Sequence, residues 1–348
     1  MAANVWRPAL ARRANPSLSC LSCQWRALST SSPQRLADQK PPPPPPATPA
    51  APAADEDGPT SQFADVPRAY GKRTDEFTPR PLSRPIGVSQ PPQIGENSGV
   101  DFRSLQQRRD DFVNYEKHLK RREQLKQKMA KPYFREWTNM QFHKGKTFLA
   151  PPRPFKGDLS LYFPNLVGQT LSKEIRTPQD TTPTLAGRAT VVSMFSSMWA
   201  ENQAGTFVSK EANPALHEVL AASGGKAQLV QINVEENSLK AALIQLFMGS
   251  LRKRIGEANW DKYFIVRKGL TDEICESIGV LNSKVGYIYL VDHNCRIRWA
   301  GSGPSEPDER DGLVKGLQRL LDEMKKEAAQ AQTGQGQASA GSETESSL

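Results

Sequence analysis

The chain has 348 residues, of which 28 are proline, 24% are charged and 37% are hydrophobic, and its formal net charge is +9. Much of this length is too rich in proline and charge to join a hydrophobic core, so the globular part is nearer half of the chain. No apolar run reaches the roughly 18 residues that a membrane-spanning helix requires. Membrane contact, if it exists, is therefore peripheral.

The N-terminus has the composition of a mitochondrial transit peptide. Residues 1–37 contain five arginines, many Ser and Ala, and no Asp or Glu. The matrix-negative potential favours inward movement of such a segment by roughly 2.3 kcal/mol per charge per 100 mV. The sequence Arg26-Ala27-Leu28-Ser29 resembles a matrix-processing site. We therefore predict a transit peptide over 1–28 with cleavage near Arg26, Ala27 and Leu28.

The cysteines do not indicate a disulfide framework. Cys20 and Cys23 form a CxxC pair inside the segment that we expect to be removed. Cys275 and Cys295 remain in the mature chain. In a reducing matrix these two are expected to be buried thiols.

Two low-complexity segments flank the rest of the chain. Residues 29–99 include six consecutive prolines, which predicts a disordered, extended linker. Residues 329–348 are rich in Gln, Gly, Ser and Ala, which predicts a disordered tail.

Residues 100–162 predict a basic amphipathic helix followed by an aromatic segment. Residues 101–131 read as one long helix with a narrow apolar stripe, which Pro132 ends. Within residues 103–130, nine cations surround this stripe and only four acids oppose them. A solvated face, contact with anionic inner-membrane lipid or an acidic partner, and RNA binding all remain open. The aromatic residues that follow are too apolar for a free linker, so we expect them to pack.

Residues 163–328 predict an α/β domain with a thioredoxin-like central sheet and flanking helices. The pattern is βαβα, then βα, a β-hairpin and a final helix. The predicted strands are Ala189–Phe195, Gln228–Val234, Tyr263–Val266, Gly286–Val291 and Arg296–Trp299. The predicted helices are Pro214–Ala222, Leu239–Leu251, Thr271–Ile278 and one containing Leu313–Met324. In the hairpin turn Asp292–Cys295, Asn294 is expected to take the left-handed conformation.

The redox chemistry of such a fold is missing from this sequence. A thioredoxin-like oxidoreductase places CxxC at the helix that follows the first core strand, since the helix N-terminus lowers the thiol pKa. Here that position reads Ser196-Ser197-Met198-Trp199. Val285-Gly286 stands where a cis-proline is expected. The sequence singles out no base for a serine nucleophile among its histidines. We therefore predict no catalytic, cofactor-binding or metal-binding residues.

Three motifs resemble those of a known family, the mitochondrial ATP synthase assembly factors that chaperone subunit 6. The resemblance is to a fungal-type member of that family. The motifs are Lys131–Glu136, Tyr162–Leu166 and, above all, Gly286–Asp292 with Cys295–Gly303. The resemblance implies a non-catalytic, matrix-side protein at the inner membrane. It also implies that the protein binds newly made subunit 6 and helps it join the proteolipid ring, with no nucleic acid as partner.

The expected partner-binding residues lie around the lost redox site. Ile244 and Met248 extend the apolar face of the helix 239–251, and with Met198 and Trp199 they predict a client groove. Burial of that helix on two sides is the competing interpretation. Arg296, Arg298 and Trp299 are added from the longest motif. The alternatives to a chaperone are a thioredoxin- or peroxiredoxin-like thiol enzyme and an RNA-binding, mitoribosome-associated protein.

Overall fold

The structure is a computed structural model, and it describes residues 62–69, 74–100, 103–130, 132, 134–175, 177–235, 244 and 246–342. The transit peptide with Arg26, Ala27 and Leu28, the Cys20–Cys23 pair and the proline run lie outside the described residues, so the predictions made for them stay predictions.

The described residues form a seven-stranded mixed sheet in the order β2-β1-β5-β4-β3-β6-β7. Its strands are β1 Val167–Thr170, β2 Gln179–Asp180, β3 Ala189–Phe195, β4 Ala227–Val234, β5 Tyr263–Val266, β6 Tyr287–Val291 and β7 Ile297–Ser302. β3, β4 and β5 are parallel, and every other pairing is antiparallel. The three parallel strands are fully or largely apolar, as expected for strands covered on both faces.

The α-helices of the described residues are α1 Leu105–Val113, α2 Tyr115–Ala130, α3 Arg135–Asn139, α4 Thr182–Leu185, α5 Met198–Val208, α6 Pro214–Ala222, α7 Met248–Ile255, α8 Asp272–Ser277 and α9 Pro307–Ser342. Short 3-10 turns occur at His143–Gly145, Gly157–Leu159 and Glu257–Lys262. Among these residues no helix is both long enough and apolar enough to cross a membrane.

The thioredoxin-like prediction is confirmed by the strand order. β3, α5 and α6, and β4 form a parallel βαβ unit, and β6 then pairs antiparallel with β3 on its other side. β7 pairs antiparallel with β6, and the final helix α9 follows. The succession of a βαβ unit, a β-hairpin and a final helix is the one predicted from the sequence. Side chains of α5, α6, α7 and α9 cover one face of the sheet, while α8 and the N-terminal segments cover the other.

The linker prediction does not hold for the described part of residues 62–99. Phe63, Val66, Leu82 and Ile86 are buried in the core beneath the sheet. Pro81 also forms a β-bridge with Leu149. Extended segments of this kind lack the periodicity that marks a helix or strand, so their proline content alone indicated disorder. The packed unit therefore begins well before residue 163.

The aromatic segment, residues 134–163, packs on the core as expected except at Phe134 and Trp137, which are exposed. Phe148 and Phe163 are buried. The buried Lys146 Nζ lies 2.6 Å from Glu309 Oε2 of α9, and Ala150 N donates to Glu309 Oε1 at 2.9 Å. This buried ion pair fastens the segment to the start of the final helix.

Two other boundaries differ from the predictions. The basic region is two helices, because Asn114 is extended (φ −70°, ψ 112°) and its Oδ1 accepts from Lys117 N at 3.2 Å, which caps α2. The apolar spacing continues across this break and so concealed it. At the other end, α9 continues to Ser342, whereas a disordered tail was predicted from 329.

Candidate functional site

The candidate site lies at the edge of the sheet where the parallel strands end. β3 ends at Phe195 and is followed directly by α5, while β4 ends at Val234. In open α/β sheets, crevices at the carboxyl ends of parallel strands hold ligands and catalytic groups. This edge is where a thioredoxin-like enzyme carries its cysteine pair.

Both serines at this edge are engaged within the fold. Ser197 is the N-cap of α5, and its Oγ accepts from Ala200 N at 3.2 Å. Ser196 Oγ donates to the main-chain oxygen of Ser283. Met198 occupies the first helical position, and its thioether has no proton to lose, so the helix dipole has no thiol to activate. The arrangement is a capped helix start with an apolar side chain on it.

Gly286 takes the place of a cis-proline opposite α5. A Cβ at this position would lie 2.3 Å from Ala200 O and 2.9 Å from Ala204 N. The described residues contain no cis peptide bond. Gly286 N donates to Gln203 Oε1 at 3.2 Å. A side-chain-free residue therefore lets the start of β6 press against the helix backbone.

Cys295 does not sit at this edge and is buried as predicted, whereas Cys275 lies in α8 and is only partly buried. Cys295 lies in the hairpin turn with φ +62°, so the left-handed conformation predicted for Asn294 falls one residue later. Burial, with the nearby Asp292 charge, raises the pKa of the Cys295 thiol to about 11. That thiol stays protonated at neutral pH, which opposes a nucleophilic role. Within the described residues, no three His, Cys, Asp or Glu side chains cluster as metal ligands.

Three large apolar side chains are exposed around the vacant redox position. Met198 is 68% exposed, Trp199 48% and Trp137 46%. Trp137 belongs to α3, whose Glu136 Oε2 accepts from Ser283 Oγ at 2.7 Å, and Ser283 in turn contacts Ser196. The loop 282–285 therefore holds α3 beside the start of α5. We call Trp137, Met198 and Trp199 the vacant-site surface.

The predicted contribution of Ile244 and Met248 to a client groove needs correction. Met248 is buried at 8% exposure, and Ile244 packs against the same core cluster, so neither forms an open groove face. Leu246 and Phe247, which the apolar spacing assigned to the core, are 75% and 61% exposed instead. Arg254, at the other end of α7, pairs with Glu201 of α5 at 2.8 Å.

The three residues taken from the longest motif, Arg296, Arg298 and Trp299, make contacts within the fold. Trp299 is fully buried and donates through Nε1 to Pro151 O at 2.9 Å. Arg298 is buried between Asp292 at 3.3 Å and Glu323 at 2.9 Å. Arg296 donates to Gly157 O at 2.7 Å and stacks over Tyr162. They hold the aromatic segment on β7, and the prediction that they form a binding surface is wrong for Arg298 and Trp299.

Trp137 is a member of this surface that the sequence reasoning missed. It follows directly after the Lys131–Glu136 motif, and the aromatic residues around it were all expected to pack. Packing holds for Phe148 but not for Trp137. Glu136 distinguishes the two cases, because it holds its helix against the loop 282–285. That loop is about 150 positions further along the chain, so the contact could not be read from the local sequence.

Comparison with known proteins gives one family. The family model described as ATP10 protein matches residues 68–320. The protein named Mitochondrial ATPase complex subunit ATP10 of Eremothecium gossypii is 30% identical over 248 residues, covering 70% of this chain and 87% of the relative. Its namesake in Saccharomyces cerevisiae is 26% identical, covering 70% and 88%. A secreted thiol-disulfide isomerase from Corynebacterium glutamicum matches with 12% identity and a TM-score of 0.32, covering 51% of this chain and 99% of that chain.

Proposed function

Because the chain belongs to the ATP10 protein family, we propose that it is a non-catalytic assembly factor of the mitochondrial ATP synthase. Its client is newly made subunit 6 of the membrane sector, and it promotes the joining of that subunit to the proteolipid ring. It works at the matrix side of the inner membrane. The relatives' names, which place them with the mitochondrial ATPase complex, support the complex but not the particular subunit.

The observation that carries the proposal is the exchange of redox chemistry for apolar surface at one edge of the sheet. The position of the redox cysteine is occupied by Ser196 and Ser197, both hydrogen-bonded within the fold. The adjoining Met198 and Trp199 project outward and are largely exposed. An edge built to expose a thiolate has become a place where an apolar segment can bind.

An apolar, membrane-embedded client requires this kind of surface. Its helices aggregate when their apolar faces lack a partner. Methionine and tryptophan suit such a client, because Met adapts its shape and Trp supplies a large contact area. Exposed apolar surface on a folded domain commonly marks an interaction site. The vacant-site surface can therefore shield a segment of the client until its permanent partner replaces the factor.

The test is a site-specific crosslink combined with assembly in mitochondria. A photoreactive residue replaces Trp199, and newly translated mitochondrial subunits are pulse-labelled. Subunit 6 should be the labelled product that crosslinks at this position. The matched control is Leu159, which is 66% exposed on the 3-10 turn Gly157–Leu159. A photoreactive residue there should capture little or no subunit 6.

The corresponding variants separate function from fold. The double variant Met198→Ser/Trp199→Ser should stay folded, since both side chains are exposed, while labelled subunit 6 is degraded and native gels show catalytic sector without membrane sector. Leu159→Ser should assemble normally. Normal subunit 6 levels in the double variant would contradict the proposal. The variant Cys275→Ala/Cys295→Ala should retain assembly, and its failure despite a native fold would favour the thiol enzyme.

A further inference from the structure

The basic helix pair, α1 and α2, exposes apolar side chains along its length. α1 has no buried residue. Leu105, Phe112 and Tyr115 are all more than 70% exposed, and Leu119 and Leu125 are also exposed. An amphipathic helix in a globular protein normally turns such residues towards the core. In this part of the structure the apolar stripe faces outward instead.

Local interactions account for the helical conformation without core packing. Ser104 and Gln107 form a capping box at the start of α1, and Asn114 caps α2. Asp111 pairs with Arg103 at 2.5 Å and with Lys117. These contacts stabilise each helix but leave the stripe uncovered. The stripe is therefore left exposed by the described residues and is available for binding.

The charge of the pair indicates what that surface is. Residues 103–130 contain nine Lys and Arg and four Asp and Glu, a net charge of +5. On α2, Tyr115 and Leu119 lie four residues apart on one face, with Arg122 and Lys126 continuing the same line. Cations that alternate with apolar residues on one helix face can reach lipid phosphates while their stems and the apolar side chains enter the headgroup–acyl boundary of an anionic bilayer.

We propose that the basic helix pair binds flat on an anionic lipid surface, with its apolar stripe at the headgroup–acyl boundary and its cations on lipid phosphates. This deepens the proposed function, on which it rests for the identity of the membrane. The break at Asn114 lets the two stripes turn separately to one plane. The pair keeps the factor at the bilayer, and the vacant-site surface remains available to the client.

The test measures the partition of the protein, purified from mitochondria in the form that accumulates there, onto two kinds of vesicle. One kind is phosphatidylcholine alone, and the other contains about one third cardiolipin. The charge variant is Arg121→Glu/Arg122→Glu/Lys126→Glu, and the apolar variant is Phe112→Ser/Leu119→Ser/Leu125→Ser. The matched control reverses three exposed lysines elsewhere, Lys210, Lys226 and Lys315. All six altered residues of the basic helix pair are exposed, so the circular dichroism spectrum and the thermal unfolding temperature should be unchanged.

The wild-type chain should bind the cardiolipin vesicles and release at high salt. The charge variant should bind at least about 100-fold more weakly, because each Lys or Arg at an anionic surface contributes roughly fivefold. The apolar variant should lose about tenfold or more. The lysine control should lose much less than the charge variant.

Two results would overturn the inference. One is equal binding by the charge variant and the lysine control, which would indicate a nonspecific effect of net charge. The other is unchanged vesicle binding by both the charge variant and the apolar variant, together with loss of their binding to a homopolymeric RNA. That result would assign the basic helix pair to nucleic-acid binding. Because vesicle binding needs no client, its failure with intact subunit 6 crosslinking would reject this inference alone. Normal binding without the crosslink would reject the client proposal alone.

Discussion

Replacement of Glu309 by glutamine tests how the aromatic segment is held on the thioredoxin-like core. The side chains of Glu309 and Lys146 are 6% and 4% exposed, and their charged atoms are 2.6 Å apart. Glu309 also accepts main-chain hydrogens from Ala150 and Glu306, each at 2.9 Å. The variant keeps the shape of the side chain but removes its charge.

The expected cost comes from the lysine that is left behind. Removing one partner of a buried ion pair costs about 3–5 kcal/mol, because the other charge stays buried without compensation. Lys146 Nζ keeps the Pro304 carbonyl at 2.9 Å and the Glu306 carboxylate at 3.7 Å. These contacts place the expected loss near the lower end, about 3 kcal/mol. That is a large share of the roughly 5–15 kcal/mol by which domains are stable.

The measurement is urea unfolding at pH 7, followed by tryptophan fluorescence and circular dichroism. Glu306→Gln is the matched control, since it makes the same chemical change near the same lysine but at a carboxylate that is 56% exposed. It should cost under about 1 kcal/mol. Lys146→Met in the Glu309→Gln background should cost less than in the wild type, because the pair is already broken. A Glu309→Gln loss no larger than that of Glu306→Gln would refute the reasoning.

Two further predictions concern Gly286 at the vacant-site edge and the thiol of Cys295. Gly286→Val should lower the free energy of unfolding by about 1–3 kcal/mol, measured by thermal unfolding, because its Cβ would lie 2.3 Å from Ala200 O. The control is Gly205→Ala on α5, where the new Cβ meets open space. Cys295 in the native chain should resist alkylation at pH 7, with a rate that rises about tenfold per pH unit towards its pKa of about 11. Rapid modification at pH 7, read by peptide mapping, would contradict the buried, protonated thiol.

The core elements could be predicted from the sequence because their signals are local. β3, β5 and α6 agree with the predicted bounds, since unbroken β-branched runs and a proline-started helix need no distant partner to be recognised. β1 and β2 were missed. β1 is four residues long and contains Gly168, and its pairing with β5 joins positions nearly 100 residues apart. Nothing in its own residues distinguishes it from a loop.

The candidate site could be predicted only in part, for a related reason. The loss of the cysteine pair and the exposed Met198 and Trp199 follow from the position after β3. The burial of Arg298 does not, because Glu323 and Asp292 reach it from α9 and from the hairpin turn. Leu246 is helical and both it and Phe247 fit a helical stripe, yet their side chains are exposed. Charge and spacing identify residue types, whereas burial depends on which distant elements meet.

The exposure of large apolar side chains at the vacant-site surface supports a binding role independently of the absence of cysteine. At the first turn of α5, Met198 is 68% exposed and contributes little buried area, whereas Trp199 is 48% exposed and buries about half of its surface. Serine, already present as the cap at 197, would serve the helix start equally well and would keep the edge soluble. The exposed parts of both side chains gain nothing from folding and can gain from binding. Trp299 differs from Trp199. Its side chain is fully buried, and its indole N–H donates to Pro151 O, so its apolar surface and its hydrogen-bond donor both have partners within the chain. The contrast between these two tryptophans is the reason that we propose a binding role for Trp199 and infer a structural role for Trp299.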